Sequence, residues 1–253
     1  MTGDAPVDER PDVEPVEIII VPVADDEELV LGRHQVMAAH ARAGAIVALD
    51  LTELEPGEID LPRVLADLVS TTSGNRQRLV VVGGKGADGG YADGGYADLA
   101  TCLLAEAPVT GKAFGLIATV PARMSYVQPL RQHLVAAVRS CHGDKEAFQA
   151  ELLVDELAVN AVENSPSSRN AWDLRFTLEH HHMLVEVTND FDEAVDSARI
   201  MNRRLQSFDD SGRYMGERGR GLFLVARMAD GLQIRAMEGD RVRVSVNKKM
   251  GRS

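Results

Sequence analysis

Three short apolar runs rich in β-branched residues constrain this chain more than any other feature. They are Val16-Glu-Ile-Ile-Ile-Val-Pro-Val23, Ala45-Ile-Val-Ala-Leu-Asp-Leu51 and Leu79-Val-Val-Val82. Continuous apolar runs of strand length suit strands buried on both faces, the pattern of a parallel sheet covered by helices. Between the runs lie segments of helical spacing. Residues 26–43 place Leu29, Val30, Val36 and Met37 on one side, with Gly44 as a cap, and residues 59–69 hold Pro62 in a first turn. Strands alternating with helices predict a small α/β domain over residues 16–110. Pro22 ends the first strand or puts it on an edge. Residues 1–15 stand apart: Asp4, Asp8, Glu9, Asp12 and Glu14 with three prolines read as a disordered acidic tail.

Residues 87–98 repeat Ala-Asp-Gly-Gly-Tyr twice and then add Ala-Asp. Paired glycines resist regular structure, so a flexible loop is expected there, leading into a helix from about Tyr96 to Glu106. No Lys-Ser/Thr pair follows, as a P-loop requires. Ala107-Pro108 and Thr110-Gly111 mark the junction with a second domain, residues 111–253.

From Phe114 the pattern changes. Phe114–Val120 reads as a strand ended by Pro121, residues 125–140 as an amphipathic helix, and Lys145 to Glu163 as a second helix. Trp172–Leu178 and Met183–Thr188 alternate in the manner of strands and make a hairpin around Glu179 to His182. A glycine-rich stretch from Gly216 to Gly221 opens an apolar-periodic helix that runs to Asp230. Ile234–Met237 and Arg241–Val246 close the chain as a last hairpin.

Chemistry concentrates on the second helix, where Glu156, Asn160 and Asn164 recur every four residues and form one polar stripe. Helix interiors disfavour asparagine, so the stripe is either a solvated face or a group with a task of its own. A carboxylate and an amide oxygen one turn apart can activate a water and hold a hard cation. Glycines before the later helix leave free backbone N–H groups at its N-terminus, which suits phosphate. His180, His181 and His182 sit on a hairpin tip, where neighbouring side chains diverge instead of converging as ligands. Cys102 and Cys141 lack ligand spacing and read as small buried hydrophobes of a reducing compartment.

A net charge of −12 leaves no positive field for nucleic acid or anionic membrane. No apolar run approaches the ~20 residues of a bilayer span, and no secretory pattern opens the chain. A cytoplasmic protein is expected.

Strand, two helices, hairpin, glycine-rich loop, helix and terminal hairpin, in this order, resemble the GHKL superfamily of ATPases over about residues 114–247. The small anti-sigma-factor serine kinases of partner-switching systems are the most similar branch. Glu156-Leu-Ala-Val-Asn160-Ala-Val resembles the N box, which implies that Glu156 acts on the reacting water or hydroxyl and Asn160 binds Mg²⁺. Asn164 stands where a histidine or similar residue often follows that box. Gly219-Arg220-Gly221-Leu222 resembles the second glycine box, whose backbone holds ATP phosphates. The first glycine box, Asp-x-Gly-x-Gly in the family, reads Asn189-Asp190-Phe191-Asp192-Glu193. Asn189 keeps an amide oxygen for the adenine amino group without the charge assistance of an aspartate. Phe191 and Glu193 replace both glycines, so positive φ becomes costly and bulk is expected in the pocket.

Residues 16–107, with Asp50-Leu51 ending the second strand, are similar to STAS domains, the fold of anti-anti-sigma factors. Ile59-Asp60-Leu61-Pro62-Arg63 lacks the serine that would be phosphorylated there. The resemblances together imply a STAS-like α/β domain followed by a GHKL-type α/β sandwich, a mixed sheet covered by helices on one face. They imply ATP and Mg²⁺ as cofactors. The implied partner is a protein: a sigma factor, a STAS antagonist or a signalling enzyme, with a homodimer also compatible. Two functional readings stand side by side, an ATP-binding serine kinase and a nucleotide-free interaction module with a degenerate site. A sensor histidine kinase fits poorly, for want of a membrane segment and a dimerisation helix with a phosphoacceptor histidine.

Overall fold

The computed structural model describes residues 14–23, 45–53, 78–83, 94–109, 113–167, 170–191, 193–211 and 220–251. The expected acidic tail up to residue 13, both helices of the first half (26–43 and 59–69), the first copy of the repeat and the loop from Gly216 to Gly219 lie outside them.

Nine strands form one sheet in the order β4-β3-β2-β1-β5-β6-β7-β9-β8. The three apolar runs become β1 (Val16–Pro22), β2 (Ile46–Asp50) and β3 (Arg78–Val82), all pairing in parallel. Ile18, Ile19, Ile20, Val47 and Val81 are buried, as strands covered on both faces require. Pro22 falls on the last residue of β1, opposite Asp50, where its missing N–H interrupts nothing further.

The repeat differs from expectation. Its second Gly-Gly-Tyr is β4 (Gly94–Tyr96), an edge strand parallel to β3. The free edge of β3 supplies the hydrogen bonds that glycines cannot organise alone. Tyr96 anchors the strand by donating its phenol to the buried Glu106, which also receives Arg78 at 2.7 Å. That bond to Glu106, with burial, pushes the Tyr96 phenol up to about 12. Helix α1 (Leu99–Glu106) starts later than Tyr96 because Asp98 caps it, accepting from the Thr101 N–H at 2.7 Å.

β5 (Phe114–Pro121) joins the two halves of the sheet. It runs parallel to β1 and antiparallel to β6 (Ala171–Glu179), so the ladder is unbroken from the parallel strands to the antiparallel ones. At Gly115 an added Cβ would come within 2.9 Å of the Pro15 backbone, so only glycine admits this close entry of β1 beside β5. The hairpin of β6 and β7 (His182–Asp190) turns in two residues, and β9 (Arg241–Lys249) and β8 (Gly231–Met237) complete the sheet.

Helices α2 (Met124–His142) and α3 (Asp144–Glu163) pack as a pair, turned at Gly143 with φ 89°. The buried stripe of α3, Ala147, Ala150, Leu153, Leu157 and Ala161, shares one core with Trp172, Leu174 and Phe176 of β6. Two helices follow. α4 (Ala194–Ser211) was not anticipated; α5 (Arg220–Met228) is the helix behind the glycines. Ala194 and Ala198 of α4 cluster with Ile234 and Val242. Asn202 donates to the Ile234 carbonyl at 3.1 Å, so α4 also occupies part of the free edge of β8. The whole sheet is mixed through the parallel pairing of β5 with β1, whereas the C-terminal half, β5 to β9, is antiparallel throughout and not mixed as expected, with its helices on one face. Its other face is polar: Arg241 reaches Asp190 at 3.0 Å and Asp173 at 2.9 Å, tying β9 to β7 and β6.

Candidate functional site

The polar stripe of α3 faces the sheet end of β7 and the start of α5. Helical back-bonding orients both of its asparagines. The Asn160 side-chain amide donates to the Glu156 carbonyl at 2.6 Å, and Asn164 donates to the Asn160 carbonyl at 2.7 Å. Each bond commits the NH₂ group. Among the described residues nothing hydrogen-bonds the Asn160 Oδ1, which leaves it as an oxygen donor for a hard cation. Asn160 is half-buried, whereas Asn164 is exposed at the C-cap of α3.

Glu156 is half-buried, and burial raises its carboxyl above the ordinary glutamate value, with the charges of Asp155 and Glu163 adding to the effect. Both causes penalise the ionised form, so the carboxylate is a stronger base than a free one. Gly221, the second residue of α5, lies against it: a Cβ there would fall 1.8 Å from the Glu156 Oε2. Absence of a side chain therefore brings the first turn of α5 directly against the carboxylate of the stripe. Gly219 lies outside the described residues, and of Arg220 only its place at the head of α5 is described. Leu222 is half-buried against the cluster of Ala194, Ala198, Ile234 and Val242. α5 is held at its far end as well. Lys248, only 9% exposed, donates to the Met228 carbonyl at 2.8 Å, so a cation closes the C-terminus of the helix.

Asn189 is 3% exposed and donates from Nδ2 to the Ala161 carbonyl at 2.7 Å. A carbonyl only accepts, so the amide orientation is fixed and Oδ1 points away from it. That oxygen is buried without a partner. Trp172, 1% exposed, carries the complementary orphan, an indole N–H with no acceptor. Asp173 pairs with Thr188, so the next step of the register sets Trp172 opposite Asn189 on the helix-facing side. Sequence reading passed over Trp172 as a strand residue. Its signal was being the single tryptophan of the chain, in phase with the buried positions of β6.

The rebuilt first glycine box is absorbed into packing. Phe191 lies against the cluster under α4, its N–H donating to the Asp240 carbonyl at 2.8 Å. The Glu193 carbonyl receives the Ser197 N–H at 2.8 Å and begins α4. Neither residue takes positive φ; Asp240 is the one non-glycine residue that does so among those described. Where the family pattern has glycines, this chain starts a helix.

His180 and His181 form the turn of the β6–β7 hairpin with ring centroids 6.5 Å apart. Among the described residues no group of three or more His, Cys, Asp or Glu is placed to hold a metal ion. No helix among them is long and apolar enough to cross a membrane.

The model of the histidine kinase-like ATPase domain matches residues 120–246, from the end of β5 through most of β9. A comparison with curated proteins found no match.

Proposed function

From the premise that this chain belongs to the histidine kinase-like ATPase domain family, we propose that it is a Mg-ATP-binding signalling regulator that acts on a protein partner. The observation that carries this reading is the contact of Glu156 with Gly221, because it joins the base of one motif to the phosphate-facing backbone of the other. In it Asn160 Oδ1 holds Mg²⁺, which screens phosphate charge, and the N–H groups opening α5 hold the phosphates. Asn189 Oδ1 accepts from the adenine amino group. Glu156 takes the proton from a serine hydroxyl of the partner, and that oxygen bonds to the γ-phosphorus. The bond from the γ-phosphorus to the bridging oxygen breaks, and ADP leaves with the electron pair.

Partner switching is the setting this chemistry fits. The partner is then a sigma factor, a STAS antagonist or a signalling enzyme, met in the cytoplasm by a monomer or a homodimer. Residues 16–110 form a STAS-like regulatory unit without a phosphoacceptor serine, and residues 111–253 form the ATPase unit.

Titration calorimetry with Mg-ATP, on wild type and Asn160→Ala, tests the proposal. Micromolar binding that the substitution abolishes supports it. A folded protein that gives no heat at millimolar ATP sinks it. One observation favours a second reading, a nucleotide-free protein-binding module: Phe191 and Glu193 are committed to packing and to the start of α4, and no glycines remain to bend around a base.

A further inference from the structure

Two arginines on the open face of the sheet stand opposite each other without a carboxylate. Phe114, Leu116, Ala118 and Val120 of β5 turn into the helix-covered core, so Gly115, Ile117 and Thr119 face the other way. The register carries that open face across the sheet: Thr119 lies opposite Asp173, Asp173 opposite Thr188, Thr188 opposite Arg243, and Arg243 opposite Arg235. The carboxylates of this face are already engaged. Asp173 and Asp190 both take Arg241, while Glu186 accepts from Ser245 at 2.8 Å and lies 4.0 Å from Arg175. Among the described residues, Arg243 finds only the hydroxyl of Thr188, at 3.3 Å, and the exposed Arg235 finds no carboxylate. Like charges directly opposite on adjoining strands repel. In a chain with 39 acidic residues against 27 lysines and arginines, such a pair calls for an anionic group.

The chain enters the sheet over the same face. A Cβ on Gly115 would project to the open side and stand 2.9 Å from the Pro15 Cα and 3.0 Å from its Cβ. Val16 pairs with Leu116 from the β1 side, so the step back from Val16 to Pro15 crosses from β1 onto β5 and points toward β6. The residues that precede Glu14 in the sequence hold Asp4, Asp8, Glu9 and Asp12 against the single Arg10.

We propose that the acidic segment of residues 1–13 docks across the open face of β6, β7 and β9, with Asp8 and Glu9 on Arg235 and Arg243. The distances agree. Seen from Gly115, Arg243 lies across β6 and β7 on β9 and in the row of Thr119, and Arg235 lies one strand further in the same row. At about 4.8 Å between strands and about 3.3 Å per residue along them, these spans are roughly 20 and 23 Å. Pro6 and Pro11 favour an extended chain. At about 3.1 Å per residue, the stretch from Pro15 back to Glu9 and Asp8 covers roughly 19–22 Å. Each guanidinium then gains a carboxylate, and the repulsion between the two is relieved. The inference is independent of nucleotide binding, since none of these groups belongs to the stripe of α3 or to the start of α5.

The test is cleavage of the full chain by a glutamyl endopeptidase, with release of residues 1–9 followed by mass spectrometry. It compares wild type, Arg235→Gln/Arg243→Gln, and a control, Arg139→Gln/Arg199→Gln, that removes two exposed charges from α2 and α4. At low salt, wild type is expected to lose the segment roughly fivefold more slowly than Arg235→Gln/Arg243→Gln, with the control like wild type. The protection should vanish at about 1 M NaCl, where the screening length is ~3 Å. Equal rates for wild type and Arg235→Gln/Arg243→Gln at low salt overturn the proposal, as does equal acceleration in the control. Protection that declines on dilution overturns it too, because a second copy would then be holding the segment. The side-chain Nε–H signals of Arg235 and Arg243 give a second reading by NMR. They should shift in Asp8→Asn/Glu9→Gln at low salt, and signals unchanged from wild type refute the contact whatever the cleavage rates.

Discussion

Replacing Gly221 by alanine should separate the packing of the site from its chemistry. The new Cβ would stand 1.8 Å from Glu156 Oε2 and 2.7 Å from its Cδ. Ordinary carbon contacts begin near ~3.5 Å, so the carboxylate must retreat by roughly 1.5 Å, through side-chain torsions. Forcing a side chain off its rotamer costs about 0.5–1.5 kcal/mol. Alanine in place of glycine within a helix returns up to about 1 kcal/mol. The two nearly cancel, so Gly221→Ala alone should change stability by less than about 0.5 kcal/mol. Made in a Glu156→Ala background, the same substitution meets no carboxylate and should stabilise by about 0.5–1 kcal/mol. Urea denaturation of the four proteins measures the difference, a coupling of about 1 kcal/mol. Any phosphoryl transfer or hydrolysis of ATP should fall about 100-fold in Gly221→Ala, since a base displaced by an ångström loses that much. An effect of Gly221→Ala that is identical in both backgrounds would refute the reasoning, because the Glu156 contact would then carry no energy.

Two further outcomes follow from single contacts. Lys248→Met should cost about 1.5–3 kcal/mol in urea denaturation, since a charge-assisted bond to the last turn of α5 is lost; a change below about 0.5 kcal/mol would show that the cap is idle. His133 is 3% exposed and neither ring nitrogen has a hydrogen-bond partner of normal geometry. Burial holds its imidazole below the usual value, only partly offset by the Ala107 carbonyl. The unfolded chain therefore takes up a proton near pH ~6.5 that the fold refuses. Stability from this site is full above that pH and is lost as pH falls through the window down to the lowered native value. His133→Leu should flatten the stability profile below about pH 6.5 relative to wild type, and parallel profiles would rule this origin out.

Much of the scaffold was legible in the sequence because its signals are local. β1, β2 and β3 follow apolar runs whose burial on both faces leaves no polar alternation to misread. The stripe of Glu156, Asn160 and Asn164 follows from helical periodicity, and the family match to residues 120–246 agrees with the domain type read from the order of elements. α4 was missed because the residues it buries first, Ala194 and Ala198, are small and lie among polar neighbours. β4 was missed because glycine carries no strand signal; only the open edge of β3 and the anchor of Tyr96 on Glu106 make Gly94–Tyr96 extended.

The sequence by itself determined which residues carry groups capable of chemistry, since a carboxylate, an amide and a glycine are identities. Tertiary structure alone decided what each one meets. Glu156 lies against Gly221, 65 positions further along the chain, and Asn189 is clamped to Ala161 with its oxygen buried and left without a partner. Those contacts depend on strand register and on where α5 returns to α3. Both are set by burial of the whole core, and no short window of sequence contains it.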